Sequence, residues 1–297
     1  MINTRKKGSL EARRNILGWA FTIIGIVLII TFVFYPMVQA FITSLKSGLG
    51  NNLSFVGIKN YKNLFTDDIF ITSVKNTFIY LIVQVPIMIF LALFISVLLN
   101  DKALKGKGFF RTAIFLPCVT SLVAYSVIFK SLFSDTGLIN KFLLDLHFIS
   151  SPIGWITDPF WAKITIIIAI TWRWTGYNMI FYLAGLQNID PALYEAAKID
   201  GASRIRQFFS ITVPMLKPII LFTTITSTIG TLQLFDEVMN ITNGGPGNAT
   251  TTISQYIYNL SFKYSPNFGY AAAVAYTIVL MIVILSIIQF KVAGDEK

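Results

Sequence analysis

Five residues, Trp172, Arg173, Trp174, Tyr177 and Asn178, interrupt the apolar run between Lys163 and Asp190. Aromatic faces stack on the C–H surfaces of a sugar ring, and amide and indole groups hydrogen-bond its hydroxyls, so the set has the chemistry of carbohydrate binding. Gln233 and Asp236, at the far end of a later apolar run, can join it. In a chain that is 14% aromatic, packing or a belt at a membrane surface is the commoner use of any one of these rings. Arg173 is a different case. A cation inside an apolar run is costly and is a functional candidate by default. It can meet an acid or a backbone carbonyl at a protein interface, line a solute path, or extend its head towards water. Other chemistry is missing. No phosphate-binding loop occurs, since "KGKG" at 105–108 lacks the spacing and the hydroxyl. There is no nucleophile elbow and no His–Glu metal motif. The single cysteine, Cys118, reads as a small core residue, and His147 as a loop residue with no carboxylate cluster beside it. The chain is therefore expected to be non-enzymatic, with no catalytic residue, no metal and no cofactor of its own.

These residues need a membrane around them. Of the 297 residues, 55% are hydrophobic and only 13% charged, and the mean hydropathy is +0.68; a soluble domain carries about a quarter charged residues. A bilayer core of roughly 30 Å takes about 20 apolar residues as helix, and backbone groups in lipid must be satisfied within the segment. The fold class is an all-α integral membrane protein with six transmembrane helices, over 16–45, 74–100, 112–133, 161–186, 216–237 and 267–291. Pro86 and Pro117 are expected to kink the second and third. The first resembles a signal peptide in its basic front and its "VQA", but its apolar stretch is too long, so it reads as a retained span. Lys and Arg fall 15 on the side of both termini and 8 on the other, Arg173 apart. The positive-inside rule puts both termini in the cytoplasm, with tails at 1–15 and 292–297. That also accounts for the net charge of +10 without nucleic acid.

The connection over 187–214 is then cytoplasmic and built to be stiff. Asp190 can cap free amides and Pro191 suits the first helical position; Gly201 ends the helix with a left-handed residue. Ala192, Ala196 and Ile199 share a face, with Leu193 and Ala197 beside them and Glu195 and Lys198 at its edge. Ser203 can cap a second short helix carrying Arg204 and Arg206, which Pro214 is expected to end. Such a module works as a lever on the two flanking spans; an interfacial helix that only anchors the loop is the alternative.

The string "EAAKIDGASRIRQFFSITVP" resembles the EAA loop of binding-protein-dependent ABC importer permeases. Glu195, Ala196, Ala197, Gly201, Ile211 and Pro214 hold that motif's spacing, while Val213 stands where the family often has Leu. Stretches 172–203, 234–258 (with Asn243-Gly244-Gly245-Pro246 as a tight turn), 60–65 and 106–117 are similar to the branch for sugars and oligosaccharides, the maltose type. The chain looks like the first permease of that heterodimer without its large insertion. The resemblance implies a type I ABC importer permease fold with a cytoplasmic coupling helix. Glu195 would make the main polar docking contact, Ala196 and Ala197 the close approach and Gly201 the bend, with Asp200 and Pro214 in the same set. It implies a second homologous permease, two ATP-binding subunits that hold ATP and Mg, an extracytoplasmic sugar-binding protein, and a bacterial cell membrane around the complex. An ABC permease for a non-sugar solute and an ion-coupled secondary carrier are the alternatives; the latter usually needs acids inside its spans.

Overall fold

A computed structural model describes residues 4–50, 52–101 and 103–294 of the chain, with side chains between Arg14 and Val292. The tail residues 1–3 and 295–297 lie outside the described residues. Helix α1 (Thr4–Ile29) runs through a π turn (Ile30–Phe34) into α2 (Tyr35–Ser44). A small hairpin, β1 (Lys46–Ser47) with β2 (Ser54–Phe55), and α3 (Lys59–Leu64) lead to α4 (Asp68–Asn100). Next come α5 (Lys107–Val119), α6 (Leu122–Leu132), α7 (Leu138–Asp145) and α8 (Pro159–Gln187). The short helices α9 (Pro191–Ile199) and α10 (Arg204–Gln207) precede a second π turn (Phe208–Thr212) and α11 (Val213–Leu232). Finally α12 (Asp236–Ile241) and α13 (Ile253–Tyr258) precede a third π turn (Asn259–Lys263) and α14 (Phe268–Gly294).

Side chains set the ends. Asp67 accepts from the amides of Ile69 and Phe70 at 3.0 and 3.1 Å, so α4 begins at Asp68, ahead of the expected 74. Asp158 caps α8 in the same way. Pro86 lies inside α4 without interrupting it.

Two expected segments come out differently. The segment 112–133 is not one rod: α5 and α6 meet at a 99° bend at Thr120 and Ser121, just after Pro117. The segment 216–237 is displaced. Its helix runs unbroken from Arg204 to Leu232, then stops, and α12 starts at Asp236. Pro214 therefore does not end a helix. Proline lacks the donor and crowds the carbonyl four residues back; the preceding π turn takes up both. Four described helices are long and apolar enough to cross a membrane, and five if the bent pair counts as one span.

The apolar interior forms three clusters. Tyr125, Phe129, Ile166, Ile170, Val238 and Ile241 join α6, α8 and α12. Leu64, Leu232, Tyr256, Tyr270 and Val274 join α3, α11, α13 and α14. Ala92, Met179, Tyr182, Leu186 and Leu216 join α4, α8 and α11. At the crossing of α5 and α8, a Cβ on Gly176 would collide with the Ile114 carbonyl oxygen, so only glycine allows that approach.

Candidate functional site

Between α4, α8 and α11 lies a cleft of about 180 Å³. Trp174, Tyr177 and Asn178 line it from α8, and Gln84 and Met88 from α4. The α11 side supplies Thr226, Ser227, Gly230 and Thr231, and Leu234 closes it near α12. The helix repeat explains the α11 set, since positions 226, 227, 230 and 231 are one turn apart on one face. Gln84 and Asn178 are each 2% exposed, and both amides donate to the Met88 sulfur, at 3.2 and 3.4 Å. Thr231 Oγ1 donates to Gln84 Oε1 at 3.4 Å and Asn178 Nδ2 to the Trp174 carbonyl at 3.0 Å. Asn178 Oδ1 is buried with no partner among the described residues. A buried acceptor left empty is costly and rare. The Trp174 and Tyr177 rings meet edge to face at 5.7 Å. The cleft can thus present the Trp174 and Tyr177 rings, the unpartnered Asn178 Oδ1 and several hydroxyls to a polar, ring-shaped solute.

The other sequence-derived residues lie elsewhere. Trp172 turns to the opposite side of α8, packs on Tyr125 and Phe129, and lines a separate apolar groove of about 610 Å³ with Ile87, Ile114 and Pro117. Arg173, 5% exposed, donates from Nη1 to the Pro117 and Thr120 carbonyls and from Nη2 to the Cys118 carbonyl, each at 3.2 Å. A cation is favourable at this helix C-terminus, where α5 leaves carbonyls unpaired at the bend. Arg173 thus meets backbone carbonyls of its own chain and is absent from the cleft lining. Gln233 is exposed at the end of α11 and Asp236 half-buried in the first turn of α12, both outside the cleft. Gln84, Met88, Thr226, Ser227, Gly230 and Thr231 escaped the sequence reading, although a lone amide in one apolar run and hydroxyls at helical spacing in another were visible signals. Glu237, beside Asp236, is only 4% exposed, because α12 folds back onto α6 and α8.

The 187–214 connection has the capped form its residues require. Asp190 accepts from the Ala192 amide at 2.9 Å and Ser203 Oγ from the Arg206 amide at 3.3 Å. Gly201 has φ +78°. Its amide donates to the Lys198 carbonyl and that of Ala202 to the Ala197 carbonyl, at 3.1 and 2.8 Å, the paired bonds of a Schellman cap. Tyr194 anchors the module: its hydroxyl lies 2.9 Å from Thr212 Oγ1 and its ring packs on the cluster around Leu186 and Leu216. Everything else on α9 faces away. Glu195, Ala196 and Asp200 are exposed, as are Leu193, Ile199 and Ile205, with Ala197 partly covered.

Residues 70–293 match the family described as "Binding-protein-dependent transport system inner membrane component". The chain belongs to this family. It is 56% identical over 99% of both chains to the lactose transport system permease protein LacF of Rhizobium radiobacter. It is 35% identical to the arabinooligosaccharides transport system permease protein AraP of Bacillus subtilis, over 94% of this chain and 89% of that one. Among solved structures, a bacterial ABC transporter that imports the acidic polysaccharide alginate superposes with a TM-score of 0.85 at 22% identity, covering 98% of this chain and 99% of that one. That likeness is one of fold. Membership makes the chain a multi-pass membrane component of a binding-protein-dependent transport system and gives it the ABC importer permease fold.

Proposed function

We propose that this chain is one half of the membrane channel of an ATP-driven importer for a saccharide of about two or more units. One observation carries the reading: the cleft and the capped loop share two helices. α8 forms one wall and ends three residues before α9; the helix that begins at Arg204 is continuous to the Thr226–Thr231 wall. A force on α9 reaches both walls. The exposed apolar side chains of α9 and α10 call for a protein partner at the loop; Glu195, Ala196, Ala197, Asp200 and Gly201 are the docking set for an ATP-binding subunit, and Pro214 keeps the transmitting helix in register.

Six crossings fit the geometry when the bent pair counts as one and α8 as another. α8 falls short on hydropathy because of polar residues, yet Thr171, Arg173, Thr175 and Asn178 are all buried in protein, so lipid does not meet them. Both termini and the loop face the cytoplasm, where the basic residues gather. A second homologous permease completes the channel. Two ATP-binding subunits, which hold ATP and Mg, drive it, and an extracytoplasmic binding protein delivers the solute; this chain holds no cofactor and catalyses nothing. Two packings of the helix set alternate, biased by ATP and by the loaded binding protein. The aromatic rings, the Asn178 acceptor and the hydroxyls of the cleft favour a sugar, and the lactose and arabinooligosaccharide permeases among the relatives agree with that class.

Uptake of labelled lactose by cells expressing the complete importer tests this. Uptake should stop on ATP depletion and survive an uncoupler while ATP is maintained. Glu195→Lys should abolish it and release the ATP-binding subunits from the membrane fraction. Loss with the uncoupler alone, or normal uptake by Glu195→Lys, would overturn the assignment.

A further inference from the structure

Across α8 from the cleft, two apolar hollows meet. The one of about 610 Å³ that Trp172 lines runs between α4, α5 and α8. The other, of about 530 Å³, lies between the end of α4 and the start of α5. Ile95 and Ile114 line both, so the two make one groove. Ile87, Leu91, Ile95 and Leu98 form a single stripe along α4, with Phe110 and Ile114 of α5 across from it. From Ile87 to Leu98 the stripe covers about 17 Å at 1.5 Å per residue. One leaflet, half of a hydrocarbon core of roughly 30 Å, is close to that length.

One end of the groove is charged. Residues 101–111 hold four Lys or Arg and a single acid, Asp101. Asp101 Oδ1 accepts from the Ala103 amide at 2.9 Å, so this carboxylate serves its own turn. Lys105 is exposed beside the groove residue Leu104, and Lys107 stands one turn before Phe110 on the groove side of α5. An apolar slot one leaflet long, with cations at its cytoplasmic end, has the layout of a phospholipid that carries negative charge. An apolar helix would fill the slot but leave the cations without a counter-charge.

We propose that this groove binds an anionic phospholipid of the inner leaflet, with the headgroup at Lys105 and Lys107 and one acyl chain running along Leu98, Ile95 and Leu91 towards Trp172. Basic clusters between spans on the cytoplasmic side suit such headgroups. The site rests on the cytoplasmic placement of the α4–α5 connection given above and requires no particular solute.

The test is native mass spectrometry of the purified complete importer, titrated with phosphatidylglycerol or phosphatidylcholine. A juxtamembrane cation is worth about fivefold in affinity for an anionic lipid surface, so Lys105→Ala combined with Lys107→Ala should weaken one phosphatidylglycerol site about 25-fold and leave phosphatidylcholine unmoved. Ala113→Phe, which fills the slot, should remove the same site with both cations in place. Lys291→Ala, in the last turn of α14, should change nothing, and excess inorganic phosphate should not displace the lipid. Equal retention of the two lipids by the parent, an unmoved site in the lysine variant, or displacement by inorganic phosphate would overturn the inference. So would an Ala113→Phe complex that sheds the second permease, which would show that a protein helix fills the groove. Each of these failures leaves the saccharide reading intact, since that reading stands or falls on lactose uptake.

Discussion

Gly201 isolates backbone conformation from packing. Its φ of +78° lies in the left-handed region, and a Cβ there would meet nothing within 4 Å. Gly201→Ala therefore adds no clash; it adds the left-handed penalty of roughly 1–2 kcal/mol. The cap consists of two backbone bonds, from Gly201 to Lys198 and from Ala202 to Ala197. At a net of about 0.5–1.5 kcal/mol each, their contribution matches the penalty in size, so the variant loop spends much of its time uncapped. If only the capped form docks, apparent affinity for the ATP-binding subunits falls by the lost fraction of that form. A fall of about two- to fivefold is expected, and the full penalty caps it at about 30-fold. Asparagine enters the left-handed region more readily, so Gly201→Asn should lose less than about twofold. The assay titrates purified ATP-binding subunit against membranes carrying equal amounts of each variant. Equal losses for alanine and asparagine, or a loss beyond about 100-fold in alanine, would show that the side chain acts through contact and refute the conformational argument.

Three further outcomes follow from the geometry. Gly176→Leu should deplete the chain from the membrane on an immunoblot, since the Ile114 carbonyl cannot yield, whereas Gly230→Ala, with open space around it, should leave the level unchanged. Asp67→Asn should lower the Tm of the purified complex at pH 7, because Asp67 accepts from the Tyr256 and Tyr270 hydroxyls at 2.6 and 2.7 Å. Burial pushes that carboxyl up, but the two hydroxyls and the Phe70 and Ile69 amides outweigh it and hold it below its usual range. Its stabilising effect is thus complete above about pH 4 and drains as pH falls through the lowered pKa, so the Tm gap should close in acid. Trp174→Ala should raise half-saturating lactose about fivefold, equivalent to one ring face worth on the order of 1 kcal/mol, with the ATP-binding subunits still bound.

Local chemistry was the legible part of the sequence. Asp190, Gly201 and Ser203 specify a helix start, a left-handed stop and a second start, and each is decided by atoms within five residues of it. The apolar runs likewise placed most of the long helices. What a run cannot encode is a bend fixed from afar: the α5–α6 angle is held by Arg173, more than 50 residues away in sequence, through three backbone carbonyls. The cleft was half legible for the same reason. Trp174, Tyr177 and Asn178 announce themselves by type, but only packing shows that Trp172 and Arg173, their immediate neighbours, point away. A helix turns 100° per residue, which sets Trp172 about 200° from Trp174 and so on the other side of α8.

Pro214 shows why continuity matters more than local propensity. A proline inside a helix removes one hydrogen bond and forces a carbonyl aside, at a cost of about 3 kcal/mol or more. The simplest response would be to end the helix there and leave a joint between the loop and the cleft. A joint would absorb displacement of α9, and the walls at Thr226 and Thr231 would not feel it. Instead the π turn over Phe208–Thr212 widens the helix just before the proline, so the rod stays unbroken from Arg204 to Leu232. The same arrangement precedes Pro36, where the π turn Ile30–Phe34 joins α1 to α2. On the proposed reading, the motion made at the loop arrives at the cleft because the chain accommodates Pro214 by widening a turn, and Pro218 within α11, without a break in the rod.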